Sequence, residues 1–310
     1  MKKVYWSAVV VVMIAGCGGS GGSNSSANAL PENVILFSDF DGTGTLFAID
    51  SDGQDRTSVL DFGAANVSIS PSRTSIVYEI NDPTATNNRR RIYLASNDGT
   101  GIRKVSVEDG IDDSQASFSP SGNRIFVARG LDDLNNRKIV SMDLDGSDVV
   151  QHTFPGAGLP NDLPNFFSPS QHPSSNRILY ARTEQTSGQT VVATSDFSGE
   201  NEQVLTPAGC SDPVWSPDGT KIAYSDAITT NYKVVVMNAN GTGKVTILNG
   251  PNRYSGLTWS PDGAKLAFSV VPIAPNSRNE IFVVNADGSG LAQITTGSPV
   301  GAFRPRWSSY

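Results

Sequence analysis

Histidine and cysteine are scarce in this sequence, and their scarcity excludes several kinds of catalytic and metal site. Among 310 residues there are two histidines, His152 and His172, and two cysteines, Cys17 and Cys210. No cluster of histidines is available to hold a metal ion, and the sequence contains neither a Gly-x-Ser-x-Gly elbow nor a Cys–His pair for nucleophilic catalysis. We expect no catalytic residues, no metal ion and no cofactor.

Positive charge is scarce as well. The formal net charge is −7, and the one basic cluster is the run Arg89-Arg90-Arg91. A negatively charged surface repels phosphate backbones, so we expect no nucleic-acid partner. We interpret the arginine run as a solvated loop beside a strand.

Long apolar segments are limited to the N-terminus. Lys2 and Lys3 precede an apolar run from Val4 to Ile14. The run is too short to cross a bilayer comfortably, and the small residues that follow it suit a signal peptidase. These features predict that residues 1–16 are an export signal.

The segment Ile14-Ala15-Gly16-Cys17 resembles the lipoprotein box of bacteria. The resemblance implies cleavage before Cys17 and lipidation of its thiol, and Gly18 in the next position implies sorting to the outer membrane. Residues 17–32 are then the lipidated cysteine and a flexible linker rich in Gly and Ser. We expect membrane contact through the lipid alone, and we expect Cys210 to be a structural thiol without a disulfide partner.

Helical periodicity is lacking, whereas short β-branched runs and turn residues are abundant. The sequence has 30 glycines and 18 prolines, many of them in Asp-Gly and Ser-Pro pairs. An apolar or aromatic residue followed by Ser recurs at steps of 49, 49, 48, 44 and 48 residues. These positions are Ile69, Phe118, Phe167, Trp215, Trp259 and Trp307. Such a period is typical of stacked supersecondary units.

Each repeat contains four short strand signals separated by turns, most clearly between Asp212 and Leu248. Radial repetition of this meander predicts an all-β fold, a six-bladed β-propeller in residues 33–310, with the repeated aromatic residues filling the wedges between blades. The N-terminal repeat lacks a first strand, and the segment around Arg306-Trp307 resembles a first strand alone. We therefore expect the C-terminal strand to complete the N-terminal blade.

The segments Trp215 to Tyr224 and Trp259 to Phe268 resemble the repeat of the TolB-like propeller family, and so do Asn285 to Gly288. The resemblance covers about five repeats and implies the propeller fold. It also implies a periplasmic protein that contacts other envelope components, although this repeat occurs in propellers with different tasks. We expect a monomer that binds an envelope protein or peptide segment, or a glycan.

Propellers commonly bind ligands at one mouth of the central channel, where loops from every blade converge. We place this mouth on the face that carries the connections between blades and between the second and third strands. Polar residues predicted to line it are Asp113, Gln115, Asp162, Asp212, Arg253, Tyr254 and Arg304. The segment from Asp39 to Gly44, with Asp50 in the twelfth place, partly imitates a calcium loop, but Asp50 leads into a hairpin turn and no helices flank it.

Three functions remain open. The leading hypothesis is a non-enzymatic, lipid-anchored propeller that binds a partner at the channel mouth. The alternative is a carbohydrate-active lyase or hydrolase with Asp113 or Asp212 as base, which would need two close carboxylates or a metal in a closed pocket. A purely structural lipoprotein would instead lack a concave polar cluster.

Overall fold

The computed structural model describes residues 29–308 except 40–43, 83–88, 107–110, 132–136, 154–164, 184–186, 229–230, 274–277 and 297–300. In the described residues, 24 β-strands form six antiparallel sheets of four strands each, and no helix is present. The predicted six-bladed β-propeller is therefore confirmed.

We number the blades in chain order. Blade 1 contains β1 (Val34–Asp39), β2 (Thr45–Asp50), β3 (Thr57–Leu60) and β24 (Ala302–Trp307), and blade 2 contains β4 (Ala65–Ile69), β5 (Ser75–Asn81), β6 (Arg90–Ser96) and β7 (Arg103–Lys104). Blade 3 contains β8 (Ile111–Phe118), β9 (Arg124–Leu131), β10 (Arg137–Asp143) and β11 (Val150–Gln151), and blade 4 contains β12 (Phe166–Gln171), β13 (Arg177–Thr183), β14 (Thr190–Asp196) and β15 (Gln203–Val204). Blade 5 contains β16 (Cys210–Trp215), β17 (Lys221–Asp226), β18 (Tyr232–Asn238) and β19 (Val245–Gly250), and blade 6 contains β20 (Arg253–Trp259), β21 (Lys265–Val271), β22 (Glu280–Asn285) and β23 (Ala292–Gln293).

The turn between the first two strands of blade 5 shows how the repeat sequence ends one strand and starts the next. Ser216 accepts a hydrogen bond from the Lys221 amide at 2.9 Å through Oγ, and Asp218 accepts one from the Thr220 amide at 3.0 Å. Gly219 adopts a φ of +72°, which a residue with a side chain rarely does. These local bonds satisfy the backbone where the strand ladder stops.

The core consists of six hydrophobic clusters in the described residues, and each cluster lies between two adjacent blades. Ile69, Phe118, Trp215, Trp259 and Trp307 each belong to a different cluster and are between 3% and 6% exposed. Their predicted role as wedges between blades is confirmed. The strands must be apolar on both faces because each blade packs against a neighbouring blade on either side.

Blade 4 departs from the sequence prediction. The amide of His172 pairs with the Arg177 carbonyl at 2.8 Å, as the amide of Ser216 pairs with the Lys221 carbonyl at 2.9 Å in blade 5. Gln171-His172-Pro173, and not Phe167-Ser168-Pro169, is therefore the turn motif of this blade. The segment around His172 is thus the turn between the first two strands of blade 4.

The propeller is closed by β24, which pairs with β1 in an antiparallel register that joins Ile35 to Trp307 and Asp39 to Ala302. The indole N–H of Trp307 donates to the Glu32 carbonyl at 3.0 Å, and the Trp307 amide donates to Thr258 Oγ1 of blade 6 at 3.2 Å. The C-terminal strand thus completes the N-terminal blade, as predicted, and contacts the last blade as well.

Trp307→Ala tests this closure. We expect the substitution to lower the free energy of unfolding by about 3–5 kcal/mol, because it leaves a cavity between blades 1 and 6. Val245→Ala is the matched control, since Val245 is 57% exposed on an outer strand and its truncation should change stability by less than about 0.5 kcal/mol. Equal denaturant midpoints for the two variants would contradict a stabilising role for the closing strand.

Candidate functional site

A cavity of about 1110 Å³, part of it open to solvent, occupies the central channel. Its lining comes from the first strand of all six sheets, namely β4, β8, β12, β16, β20 and β24. The lining reaches Ser216 and Pro217 in the turn that follows β16. This cavity therefore lies toward the face of the Ser-Pro turns, opposite the face where we predicted the mouth.

Each of the six inner strands has one residue with a left-handed backbone at a β-bulge, where the register with the second strand shifts. We call these residues the bulge ring. Its members are Asn66, Gln115, Ser168, Asp212, Gly256 and Arg304, with φ values between +48° and +65°. All six line the cavity, because a bulge redirects a side chain that the strand would otherwise pack between blades.

Hydrogen bonds link the bulge ring to itself and to the blades. The Ser168 amide donates to Gln115 Oε1 at 2.9 Å, and Arg304 donates through Nη1 to Asn66 Oδ1. Behind the lining, Glu79 accepts from the Gln115 amide at 2.9 Å and from Asn66 Nδ2. These contacts hold the polar side chains of adjacent blades in one arrangement, since each buried donor is paired with a specific acceptor.

Gly256 gives the bulge ring its smallest member, in the position next to Arg304. A Cβ at this position would approach the Arg304 Cα to 2.8 Å, and the φ of +65° adds strain for any other residue. The Gly256 amide donates to the Asp212 carboxylate. Glycine therefore permits the close approach of β20 and β24 and supports the acidic residue of the ring.

The charged residues of the lining are Asp212, Arg304 and Arg306. Burial raises the pKa of the Asp212 carboxyl, and the guanidiniums of Arg304 and Arg306 act in the opposite direction. Burial also lowers the pKa of Arg306, an effect that the charge of Arg304 adds to and that of Asp212 opposes. The channel thus holds two cations and one anion, of which Arg304 is exposed and Asp212 and Arg306 are partly buried.

The structure brings together three of the seven predicted mouth residues, Gln115, Asp212 and Arg304. The prediction missed Asn66 and Arg306, which line the same cavity. Three positions before the repeated apolar or aromatic residue lie four polar members of the bulge ring, Asn66, Gln115, Asp212 and Arg304. Aligning the repeats at that offset could therefore have found Asn66. Arg306 directly precedes Trp307, but the strand pattern alone does not indicate that it reaches the channel.

Asp113 was predicted to line the channel mouth, and the structure places it in a buried ion pair instead. It is fully buried at the start of β8, and its carboxylate accepts from Nε and Nη2 of Arg129 at 2.8 and 2.9 Å. It is not among the residues that line the cavity. A carboxylate held by both arms of a guanidinium serves the packing of blade 3.

The interpretation of the arginine run as a solvated loop is also corrected by the structure. Arg90 and Arg91 belong to β6 and not to a solvated loop. Arg90 pairs with Asp112, which also binds Arg137 Nη2 at 2.9 Å, and Arg91 is 1% exposed and donates to the Ile111 carbonyl. The run therefore joins blades 2 and 3 through buried charge pairs and backbone contacts.

Arg253 and Tyr254 also lie outside the cavity lining. The Arg253 guanidinium lies over the Tyr232 ring, 5.4 Å from its centroid, and Nε donates to the Tyr232 hydroxyl at 3.1 Å. Tyr254 packs edge-on against Phe268 with ring centroids 5.6 Å apart, and burial raises its pKa. Asp162 and Cys17 fall outside the described residues.

The segment from Asp39 to Asp50 does not form a calcium loop, because its first and last carboxylates lie at opposite ends of a strand pair. Asp39 pairs with Thr45 at one end of the β1–β2 ladder, whereas Asp50 pairs with Val34 at the other end. Asp39 is buried and forms an ion pair with Arg56 at 2.7 Å. The two carboxylates are therefore held too far apart to bind one ion, since each strand residue adds about 3.3 Å.

Both histidines make structural contacts. His152 is buried and bonds the Phe197 carbonyl and the Ser141 hydroxyl, each at 2.8 Å, and burial lowers its pKa. His172 accepts from the Ser174 amide through Nδ1, so Nε2 donates to the Gly219 carbonyl at 3.1 Å. Among the described residues, no three His, Cys, Asp or Glu side chains are grouped as metal ligands.

Cys210 is buried as predicted, and burial raises its pKa to about 11. A thiol with this pKa is protonated at neutral pH and therefore unreactive. Within the part of the chain that the structure describes, no helix has the length and apolar character that membrane crossing requires.

Residues 174–309 match the family of the TolB beta propeller domain. The fold is a TolB-like propeller. A comparison with curated proteins gives no match. The family match begins at residue 174 in blade 4, directly after the turn motif Gln171-His172-Pro173.

Solved structures share the TolB-like propeller fold at low sequence identity. TolB from Acinetobacter baumannii matches with a TM-score of 0.74 and 20% identity, over 90% of this chain and 67% of that chain. A chain in a nidogen/laminin complex matches with a TM-score of 0.67 and 13% identity, over 88% of this chain and 97% of that one. An oligogalacturonate lyase in complex with manganese matches with a TM-score of 0.57 and 13% identity, over 85% of this chain and 74% of that one. At these identities the likeness is one of fold.

Asp113→Ala tests the structural role of the Asp113–Arg129 pair. The substitution removes the carboxylate that pairs with the guanidinium of Arg129, a side chain that is 11% exposed. We therefore expect a loss of about 3–5 kcal/mol in unfolding free energy. The double variant Asp113→Ala/Arg129→Met should recover part of this loss, because it removes the buried charge. Urea titrations of the two variants provide the comparison, and a double variant less stable than Asp113→Ala would refute the interpretation.

Proposed function

We propose that this protein is a non-enzymatic envelope propeller, anchored by a lipid at Cys17, that binds a protein partner in its central channel. The observation that carries the proposal is the bulge ring. Each blade contributes one residue to it, and hydrogen bonds to neighbouring blades hold Gln115, Asn66 and Arg304 in a concave site. A preorganised polar cavity of this kind is suited to binding.

The anchor and the location rest on the N-terminal sequence and on the relatives. Residues 1–16 have the pattern of an export signal, and Cys17 has the position of the modified residue in a lipoprotein box. The linker of residues 17–32 would join the lipid to the propeller that begins at β1. The resemblance to the TolB-like family implies a periplasmic location, so we place a lipid-anchored relative at the outer membrane facing that compartment.

A protein partner is favoured by the chemistry of the cavity and by the relatives. Apolar side chains that are partly exposed, such as Val214 and Pro217, share the lining with the bulge ring, which gives an apolar surface with a few polar groups. The nidogen/laminin complex contains a propeller of the same fold in a protein–protein assembly. The propeller itself is proposed to act as a monomer.

The alternative, a carbohydrate-active enzyme, has the oligogalacturonate lyase in its favour. A lyase or hydrolase needs a second carboxylate or a metal beside its base. Asp212 is the one carboxylate in the described lining of the cavity, and Asp113 is paired with Arg129 away from it. The site residues therefore support binding more than catalysis.

Photo-crosslinking in intact envelopes tests the proposed function. A photoreactive side chain at Ser168, inside the channel, should capture a protein that mass spectrometry identifies. The double variant Asp212→Ala/Arg304→Ala should lose this adduct, since it removes two of the charged groups that line the cavity.

The matched control is Asp145→Ala/Arg103→Ala, which removes one carboxylate and one guanidinium from exposed positions. It should keep the adduct. Equal capture by both double variants would contradict partner binding in the channel, and growth on a defined glycan that requires this protein would favour the enzyme.

Cys17→Ser tests the anchor. Without a thiol at this position no thioether to lipid can form, so we expect the protein to leave the membrane fraction and to lose incorporation of labelled fatty acid. Cys210→Ser is the matched control, because Cys210 is buried in blade 5 and should not be acylated. Membrane retention of Cys17→Ser would exclude the proposed lipid anchor.

A further inference from the structure

The charge inside the channel is opposite in sign to the charge of the whole protein. The chain carries a formal net charge of −7, whereas the described lining of the cavity contains two guanidiniums and one carboxylate. The low-dielectric walls of a channel focus such a local field, so its sign decides which ligand groups are attracted. The lining therefore favours a negatively charged group, although the whole protein is negatively charged.

Arg304 and Arg306 are placed to act together. They occupy alternate positions of β24, and both line the cavity. Arg304 is among the exposed residues, and because it lies in the wall of the channel, it is exposed to the channel. Two guanidiniums that line one cavity can both donate to a carboxylate that enters it.

Both guanidiniums keep donors for a ligand. Within the described residues, Arg304 donates through Nη1 to Asn66 Oδ1, and Arg306 donates through Nη1 to the Leu257 carbonyl at 3.2 Å. An arginine side chain carries five N–H donors, so each group has further donors beyond these bonds. The Arg304 amide also donates to Ser269 Oγ at 2.8 Å, which fixes the backbone of β24 against β21 at this residue.

Within the described lining itself, the two guanidiniums face a single carboxylate. Asp212 is the one carboxylate of the described lining, and it accepts from the Gly256 amide. Glu79 lies behind the lining and is engaged by Asn66 and Gln115. A second anion in the channel would offset the repulsion between the two guanidiniums.

The aromatic residues of the lining argue for a peptide over a sugar. Trp215, Trp259 and Trp307 are at most 6% exposed, because their rings pack between blades. Their faces are thus not available for stacking against a sugar ring. The walls instead offer small polar and aliphatic groups that are partly exposed, such as Ser68, Ser117 and Val214, which suit an extended peptide.

We propose that Arg304 and Arg306 bind a carboxylate of an acidic peptide segment that enters the central channel. This inference rests on the proposed function, since it specifies the chemistry by which the channel recognises its protein partner. It adds that the partner presents an Asp, a Glu or a free C-terminal carboxylate to the ring.

Fluorescence anisotropy with the full chain in detergent tests the inference. One labelled probe is a short flexible peptide with Glu at its centre and an amidated C-terminus, and its matched partner differs only in having Gln in place of Glu. We expect the Glu peptide to bind at least about tenfold more tightly than the Gln peptide, with an affinity that falls as salt is added. Arg304→Gln and Arg306→Gln should each weaken binding of the Glu peptide by about tenfold or more.

Arg103→Gln is the control for loss of one positive charge, since Arg103 is exposed on the outer strand β7. It should leave the affinity within about twofold of wild type, because charges beyond a Debye length are screened. Thermal unfolding of every variant verifies that the propeller is intact. A variant that fails to fold is replaced by Arg304→Lys or Arg306→Lys, which keep the charge and should keep part of the affinity.

Each outcome decides the inference. Equal affinity for the Glu and Gln peptides, no binding of either, or preferential binding of an oligogalacturonate would overturn it. Charge-selective binding without any crosslinked protein in envelopes would retain the anion site and remove the proposed function. A crosslinked partner together with charge-independent peptide binding would do the reverse.

Discussion

The antiparallel pairing between β24 and β1 is the constraint on which the rest of the structure depends. It completes the sheet of blade 1, and it places Trp307 between blades 1 and 6. It also delivers Arg304 and Arg306 to the channel, because both belong to the closing strand. Ring closure and the charge of the channel are therefore produced by the same six-residue segment, and the site exists only in the closed ring.

The bulge in every inner strand explains how a nearly symmetrical scaffold supports an asymmetrical site. The six bulges share a left-handed backbone, yet their side chains range from glycine to arginine. Each blade thus contributes one bulge residue to the channel, and the residue type can differ although all six bulges share the same kind of register shift. Recognition can vary at these positions while the wedges between blades, which carry the stability, stay the same.

The sequence was sufficient to predict the strands, the turns and the closure, because these follow from local periodicity and turn chemistry. It was misleading in blade 4, where Phe167-Ser168-Pro169 imitates a turn motif but lies within β12. The true turn there begins with Gln171 and His172, which lack the aromatic and serine side chains of the other repeats. A motif search follows residue identity, whereas the strand register depends on pairing with β13.

The site was predicted only in part for a similar reason. Asp113 and Asp212 look alike in the sequence, as acidic residues close to the start of a repeat. Asp113 precedes the bulge of β8 and is buried against Arg129, whereas Asp212 stands at the bulge of β16 and lines the channel. A displacement of two residues along a strand relative to its bulge decides between the two environments.

The sequence by itself determined the number of blades, the turn that ends the first strand in blades 2, 3, 5 and 6, and the strand that closes the ring. These depend on interactions between residues that are close in the chain or that recur with its period. Only the tertiary structure decided which polar side chains meet in the channel and which become buried pairs. The physical reason is that a bulge and a neighbouring blade set the direction of each side chain, and neither is encoded in the local pattern.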